Sequence, residues 1–113
     1  MKELPRFKAR NREAVLDFIA EVLTNRQRPD QTCLVELVAY RDGHYRAIFD
    51  PAYFVLPEGQ QQPSKSQWNS LKKKMKRRDR RVFIFKEHGE VPCPRDHGGT
   101  GRCYYLDFGF FAE

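Results

Sequence analysis

The sequence predicts an α+β domain in which two helices lie on one face of a four-stranded antiparallel sheet. Three observations support this class: two segments of helical periodicity, four short runs rich in β-branched and aromatic residues, and turn residues between the paired runs. The predicted order along the chain is α-β-β-α-β-β. Because 113 residues suffice for one hydrophobic core but not for two, we expect a basic N-terminal arm at 1–10 and a single two-layer domain at 11–113.

The first helix is predicted to begin after Asn11, whose side chain can cap it, and to continue through the segment REAVLDFIAEVLTN. Glu13 in the first turn complements the positive end of the helix dipole. The apolar residues of this segment recur at helical spacing: Val15, Phe18, Ile19, Val22 and Leu23. We expect the face that they form to lie against the sheet.

The first two strands are predicted to form a hairpin, because Asp42 and Gly43 stand between two strand-like runs and suit a two-residue turn. Such a turn would pair Tyr40 with Tyr45. One face of the hairpin would then carry Val35, Leu37, Ala39 and Ile48. The opposite face would carry Leu34, Val38, Tyr40, Tyr45, Ala47 and Phe49.

The second half of the chain repeats the order of elements after an irregular connection at 50–66, which holds three prolines and a glutamine triplet. A second helix is predicted over about 65–78, with Ser64 or Ser66 as its cap. Its apolar seam is short: Trp68, Leu71 and Met75. The run VFIFKE, a fourteen-residue loop and the run RCYYLDFGFF form the last two strands.

Positive charge is concentrated in two stretches of a chain whose net charge is +6. Residues 1–12 carry five basic residues and one acid, and residues 64–81 carry nine basic residues and one acid. Cations four positions apart in the second helix repel one another, at about 0.2 to 0.5 kcal/mol for each pair. Such local asymmetry is typical of a surface that faces an anionic partner.

Nucleic acid is the partner that we expect first, because regularly spaced Lys and Arg displace counterions from a phosphate backbone. The predicted nucleic-acid or anion-binding residues are Lys65, Lys72, Lys73, Lys74, Lys76, Arg77, Arg78, Arg80, Arg81 and Arg102. Base reading would fall to Gln67, Asn69 and Ser70. The expected role is that of a small non-enzymatic accessory or regulatory factor.

Two other interpretations of the charge run stay open. In the first, the cations form an ordinary solvated helix face. In the second, the protein is an interaction adaptor that docks an acidic protein partner and forms a homodimer through its sheet.

Aromatic side chains could stack single-stranded bases if the face of the sheet that the helices leave uncovered is open. The candidates for this role are Tyr40, Tyr45, Phe49, Tyr53 and Tyr105. Core packing or an oligomer interface is the commoner role for such residues.

The loop between the last two strands brings four metal-ligand types within sixteen residues: His88, Cys93, His97 and Cys103. Thiolate and imidazole are the ligands of tetrahedral zinc, although this spacing matches no common zinc-finger pattern. We therefore expect no cofactor, with zinc as the alternative. Glycines in HGGTG, followed by Arg102, also suit a phosphate contact.

Catalysis, export and membrane insertion find little support in the sequence. His44 with Asp42 is the clearest acid-base pair, but neighbours at a turn usually point apart. No run approaches the roughly 18 apolar residues of a membrane span, and no apolar signal segment follows the basic start. Three cysteines, an odd number, fit a reducing compartment better than a disulfide scaffold. We expect a cytoplasmic, non-enzymatic protein without membrane contacts.

Overall fold

The computed structural model describes residues 7–94 and 101–112. Its elements, in chain order, are α1 (Arg12–Val22), β1 (Leu34–Ala39), β2 (Tyr45–Phe49), a short 3-10 helix (Pro51–Tyr53), α2 (Lys65–Arg78), β3 (Val82–Pro92) and β4 (Arg102–Phe110). The predicted class and the order α-β-β-α-β-β are confirmed.

The four strands form one antiparallel sheet in the order β1-β2-β4-β3. Residues directly opposite each other in neighbouring strands share a face, and the pairs on the helix side are buried: Tyr45 with Phe108, Ala47 with Leu106, and Phe49 with Tyr104. These residues and the apolar faces of α1 and α2 belong to one hydrophobic core. The strands at the two edges of the sheet are β1 and β3.

Both helices begin where the sequence predicts, because their caps are local. The Asn11 side chain accepts a hydrogen bond from the Glu13 N–H at 2.8 Å. Ser64 and Gln67 form a reciprocal capping box at the start of α2, which satisfies two backbone N–H groups. The predicted seam of α2 is also confirmed, since the buried residues of this helix are Trp68, Leu71 and Met75.

The hairpin between β1 and β2 is one residue out of the predicted register. The Tyr40 N–H donates to the His44 carbonyl at 2.9 Å, so the loop has three residues, 41–43, instead of two. Gly43 adopts a left-handed φ of 95°, which a three-residue hairpin loop requires at its last position. Ala39 therefore pairs with Tyr45.

Relative to β1, this shift moves every side chain of β2 to the face opposite the predicted one, because side chains alternate between faces along a strand. Tyr45, Ala47 and Phe49 lie in the core, whereas Ile48 pairs with Tyr105 on the face away from the helices. The predicted assignment of β2 residues to faces was wrong for this reason. We call the face away from the helices the open face.

The described end of the N-terminal stretch is joined to the sheet. Phe7 bridges to Phe111, and the Lys8 N–H donates to the Phe110 carbonyl at 2.8 Å. The Arg10 guanidinium lies 2.6 Å from Asp79 Oδ2 and 3.8 Å from the centre of the Phe110 ring. Residues 7–10 are therefore part of the domain and not of a separate arm.

One end of the open face carries an aromatic cluster formed by Phe7, His44, Phe83 and Phe85, with ring centroids 5.0 to 6.2 Å apart. Farther along, Arg46 makes two hydrogen bonds to Asp107, at 2.7 and 3.0 Å. The same guanidinium lies 4.2 Å from the centre of the Tyr105 ring. The open face is thus partly covered by the chain's own aromatic and paired polar side chains.

Candidate functional site

The outward side of α2 presents a row of cations to solvent. Residues 70, 73 and 77 are three or four positions apart and so follow one stripe of α2, and Arg80 follows in the turn after the helix. Together with Lys76 they line an open hollow of about 620 Å³. We call this surface the basic face; it consists of Ser70, Lys73, Lys76, Arg77 and Arg80. Arg80 extends it into the turn beyond the end of the helix.

Within residues 7–94 and 101–112, no carboxylate lies within ion-pair distance of the four cations of the basic face. Their side chains are exposed. Lys73 is three positions from Lys76 and four positions from Arg77 on α2, so these charges are neighbours and repel one another. The basic face is therefore an uncompensated concentration of positive charge held on a packed helix.

Several other predicted binding residues are engaged in contacts within the domain. Arg78 pairs with Glu21 of α1. Arg102 lies 3.0 Å from Glu90 on the neighbouring strand. The Lys72 ammonium reaches the Lys86 carbonyl at 3.5 Å, and partial burial lowers the pKa of Lys72. Of the predicted binding residues, these three therefore make contacts within the domain, whereas the cations of the basic face point to solvent.

Lys65 and Arg81 lie outside the basic face. Lys65 stands in the first turn of α2, beside a different hollow of about 470 Å³ that Trp68 and His88 also line. The Arg81 backbone joins the end of α2 to the last strand, because its N–H donates to Asp79 and its carbonyl accepts from the Phe111 N–H.

Arg26, which the sequence did not single out, adds to the positive surface. Its guanidinium lies 5.3 Å from the centre of the Tyr53 ring, and the Lys74 ammonium lies 5.9 Å from the centre of the same ring. Burial lowers the pKa of Lys74, and the charges of Arg26, Arg78 and Arg77 lower it further. The loop after α1 thus brings a cation next to α2, and local sequence carries no signal of that contact.

Of the predicted base-reading residues, Gln67 is already occupied. Its side-chain oxygen accepts from the Ser64 N–H at 2.8 Å and from the Gln60 amide at 2.7 Å. Asn69 and Ser70 are exposed. Of the three predicted base-reading residues, only these last two therefore have side chains available to contact bases.

The expectation of an aromatic stacking surface was wrong for three of its five residues. Tyr45 is 4% exposed, and Phe49 and Tyr53 are 0% exposed. The register of the hairpin turns the first two toward the helices, and Tyr53 belongs to the 3-10 helix that packs into the core. Tyr40 and Tyr105 do lie on the open face, where Tyr40 stacks on His44 at 4.3 Å.

Cys93 and Cys103 form a disulfide at the base of the last hairpin, with a Cα–Cα distance of 5.2 Å. A disulfide sulfur is not a thiolate, so this bond and zinc binding by the same cysteines exclude each other. Among the described residues no three His, Cys, Asp or Glu side chains are grouped as metal ligands, and His97 lies outside those residues. Zinc stays an alternative for the reduced chain, and the expectation that the cysteines form no disulfide is not met.

His44 and Asp42 point toward each other, contrary to the expectation for turn neighbours. His44 Nδ1 and Asp42 Oδ1 form a hydrogen bond, and the same oxygen accepts from the His44 N–H at 3.0 Å. The hydrogen bond from that N–H is the main cause that lowers the pKa of Asp42. Because the His44 ring contacts Tyr40, Phe7 and Phe85, the pair stabilises the turn and the aromatic cluster.

Comparison of the chain with protein-family models, with curated proteins and with solved structures gave no match. In the described part of the chain, no helix is long and apolar enough to cross a membrane.

Proposed function

We propose that the protein is a small non-enzymatic nucleic-acid-binding factor that contacts phosphates through the basic face. The observation that carries this proposal is the row formed by Lys73, Lys76, Arg77 and Arg80, which has no carboxylate partner among the described residues. Each cation that neutralises a phosphate releases a counterion, which favours binding at low salt.

The packing of α2 supports a binding role over simple solvation. Arg78 and Glu21 join this helix to α1, and Arg10 holds Asp79 directly beyond its last turn. The basic face is thus held in place although its charges repel one another. Binding to a phosphate backbone relieves that repulsion. A helix face needed only for solubility would gain nothing from placing like charges next to one another.

Docking of an acidic protein is the second candidate function. The exposed aromatic residues on and beside the open face support an adaptor of this kind, since Tyr40 is 38% and Phe111 is 40% exposed. A homodimer through this face belongs to the same proposal. An acidic protein would use the same cations, but it has no condensed counterion layer like that of a nucleic acid, so its salt slope should be smaller.

The cytoplasmic location expected from the sequence stays a prediction. The disulfide between Cys93 and Cys103 is of a kind that persists mainly in oxidising compartments.

Fluorescence anisotropy of labelled DNA and RNA, measured over a series of salt concentrations, tests the proposal. Contacts with four to six duplex phosphates predict a slope of about −3.6 to −5.4 in a plot of log K against log salt. Replacing Lys73, Arg77 and Arg80 by Ala should make this slope shallower by about 2.7.

A matched control removes three exposed cations elsewhere: Arg28, Arg41 and Lys86. This variant has the same net charge as the first but keeps the basic face, so its slope should stay close to that of the wild type. Absence of binding at about 50 mM salt would refute the proposal and leave the acidic-protein adaptor.

A further inference from the structure

The structure places the basic face and the aromatic rings of the open face on opposite sides of the sheet, and from this separation we infer that the basic face prefers duplex nucleic acid to single strands. The inference rests on the proposed function, because it names the form of nucleic acid that the same site binds.

None of the residues that line the basic face is aromatic. The aromatic residues that pack near α2 are buried, with Trp68 5%, Tyr53 0% and Phe54 6% exposed. Proteins that hold single strands combine a cationic groove with aromatic side chains on which successive bases stack. Without such stacking, the basic face contacts only the phosphate backbone.

Tyr40, which is 38% exposed, and the half-buried Tyr105 lie on the open face, across the sheet from α2. Tyr105 pairs with Ile48 on the open face, whereas the preceding residue, Tyr104, packs in the core on the helix side. Phe111 contacts Phe83, which pairs with Gly109 on the open face as well. The sheet and the core therefore stand between Tyr105 and the basic face, whereas Phe111 meets the chain only at Arg81, beyond the last cation of the row.

The shape of the basic face suits a rigid rod of phosphates. Its residues come from one stretch of chain, the second half of α2 and the turn that follows it, so that no second element of the described chain encloses a ligand in the hollow. The fourteen residues of α2 span about 21 Å. A duplex presents its phosphates already ordered, whereas a single strand loses conformational freedom on binding and gains no stacking in return.

Counterion release favours the duplex further. The salt slope is about 0.9 per phosphate for duplex DNA and about 0.7 for single strands. For five phosphate contacts the two slopes differ by about 1.0, so the affinity for the duplex gains about tenfold over that for a single strand between 1 M and 0.1 M salt. Arg26 and Lys74, which lie together beside the row, widen the positive surface toward the second strand of a duplex.

The test compares a labelled duplex of about 20 base pairs with each of its two strands at 0.1 M salt, using wild-type protein. We expect the duplex to bind at least about fivefold more tightly than either strand. Replacing Lys73, Arg77 and Arg80 by Ala should weaken duplex binding, and replacing Tyr40 and Tyr105 by Ser should leave it unchanged.

Other outcomes identify which idea fails. Single strands that bind within fivefold of the duplex, or more tightly, would overturn the duplex preference and leave the proposed function intact. Loss of single-strand binding in the Tyr40→Ser, Tyr105→Ser variant would place that binding on the open face. If neither form binds at about 50 mM salt, the proposed function fails and the inference fails with it.

Discussion

The ring of Phe7 lies directly against the backbone of Gly109. A Cβ atom at position 109 would come within 2.4 Å of Phe7 Cδ1 and within 2.7 Å of Cε1. Gly43 adjoins the same residue, since a Cβ there would lie 3.0 Å from the Phe7 carbonyl oxygen. Two glycines distant in sequence therefore make room for the segment that covers one end of the open face.

Replacing Gly109 by Ala should displace Phe7 and lower the free energy of unfolding by about 1 to 3 kcal/mol, as overpacking usually does. The same replacement in a Phe7→Ala background should cost less, because the clashing ring is gone. Urea denaturation of the four proteins of this double-mutant cycle measures the coupling. Strictly additive effects would show that Phe7 does not occupy the space above Gly109.

Replacing Arg26 by Ala should weaken nucleic-acid binding and reduce the salt slope by about 0.9, because one phosphate contact is lost. Arg28→Ala is the matched control, since it removes an equal charge two positions away in the same loop. Anisotropy titrations at several salt concentrations distinguish the two variants. Equal slopes would mean that Arg26 contributes only to the net charge.

The disulfide predicts a count of reactive thiols. The unfolded, unreduced protein should react with one equivalent of a thiol reagent through Cys33, and the reduced protein with three. Since ten positions separate the two bonded cysteines, reduction should lower the free energy of unfolding by about 2 to 3 kcal/mol. Three thiols without reductant would restore zinc as the alternative use of these residues, which a zinc titration of that protein would then test.

The surroundings of His88 predict that the free energy of unfolding falls on mild acidification. Burial lowers the pKa of His88 below its ordinary value of 6.5, and the charge of Lys72 lowers it further. As the pH falls, the unfolded chain therefore binds the proton before the folded protein does. The contribution of neutral His88 to stability is fully present above pH 6.5 and is lost as the pH falls through the pKa of the folded protein.

Urea denaturation between pH 8 and pH 5 measures this effect, with Trp68 as the probe because its ring stacks on His88 at 4.0 Å. His88→Phe keeps an aromatic ring in that position without a titrating group, and its stability should depend less on pH. An unchanged pH dependence in this variant would assign the effect to another group.

Features that depend on residues within a few positions were predictable. The caps at Asn11 and Ser64, the apolar seam of α2 and the row of cations follow from helical spacing alone. The hairpin turn was recognised, but an Asp-Gly pair suits both two-residue and three-residue loops. A two-residue type I′ turn needs a positive φ at both Asp42 and Gly43, whereas the three-residue loop needs it only at Gly43. Asp42 has no positive φ, so the loop has three residues, and this register sets the face on which Tyr45 and Phe49 lie.

The class of fold and the charge of α2 follow from the sequence, because hydrophobic periodicity and local composition depend only on residues that are close together in the chain. Tertiary packing selected which cations stay outward, since Glu21 binds Arg78 and Glu90 binds Arg102 only when distant segments meet. It also brought Arg26 beside Lys74 and joined Cys93 to Cys103. Such contacts form between surfaces that exist only after the helices and the sheet have packed together.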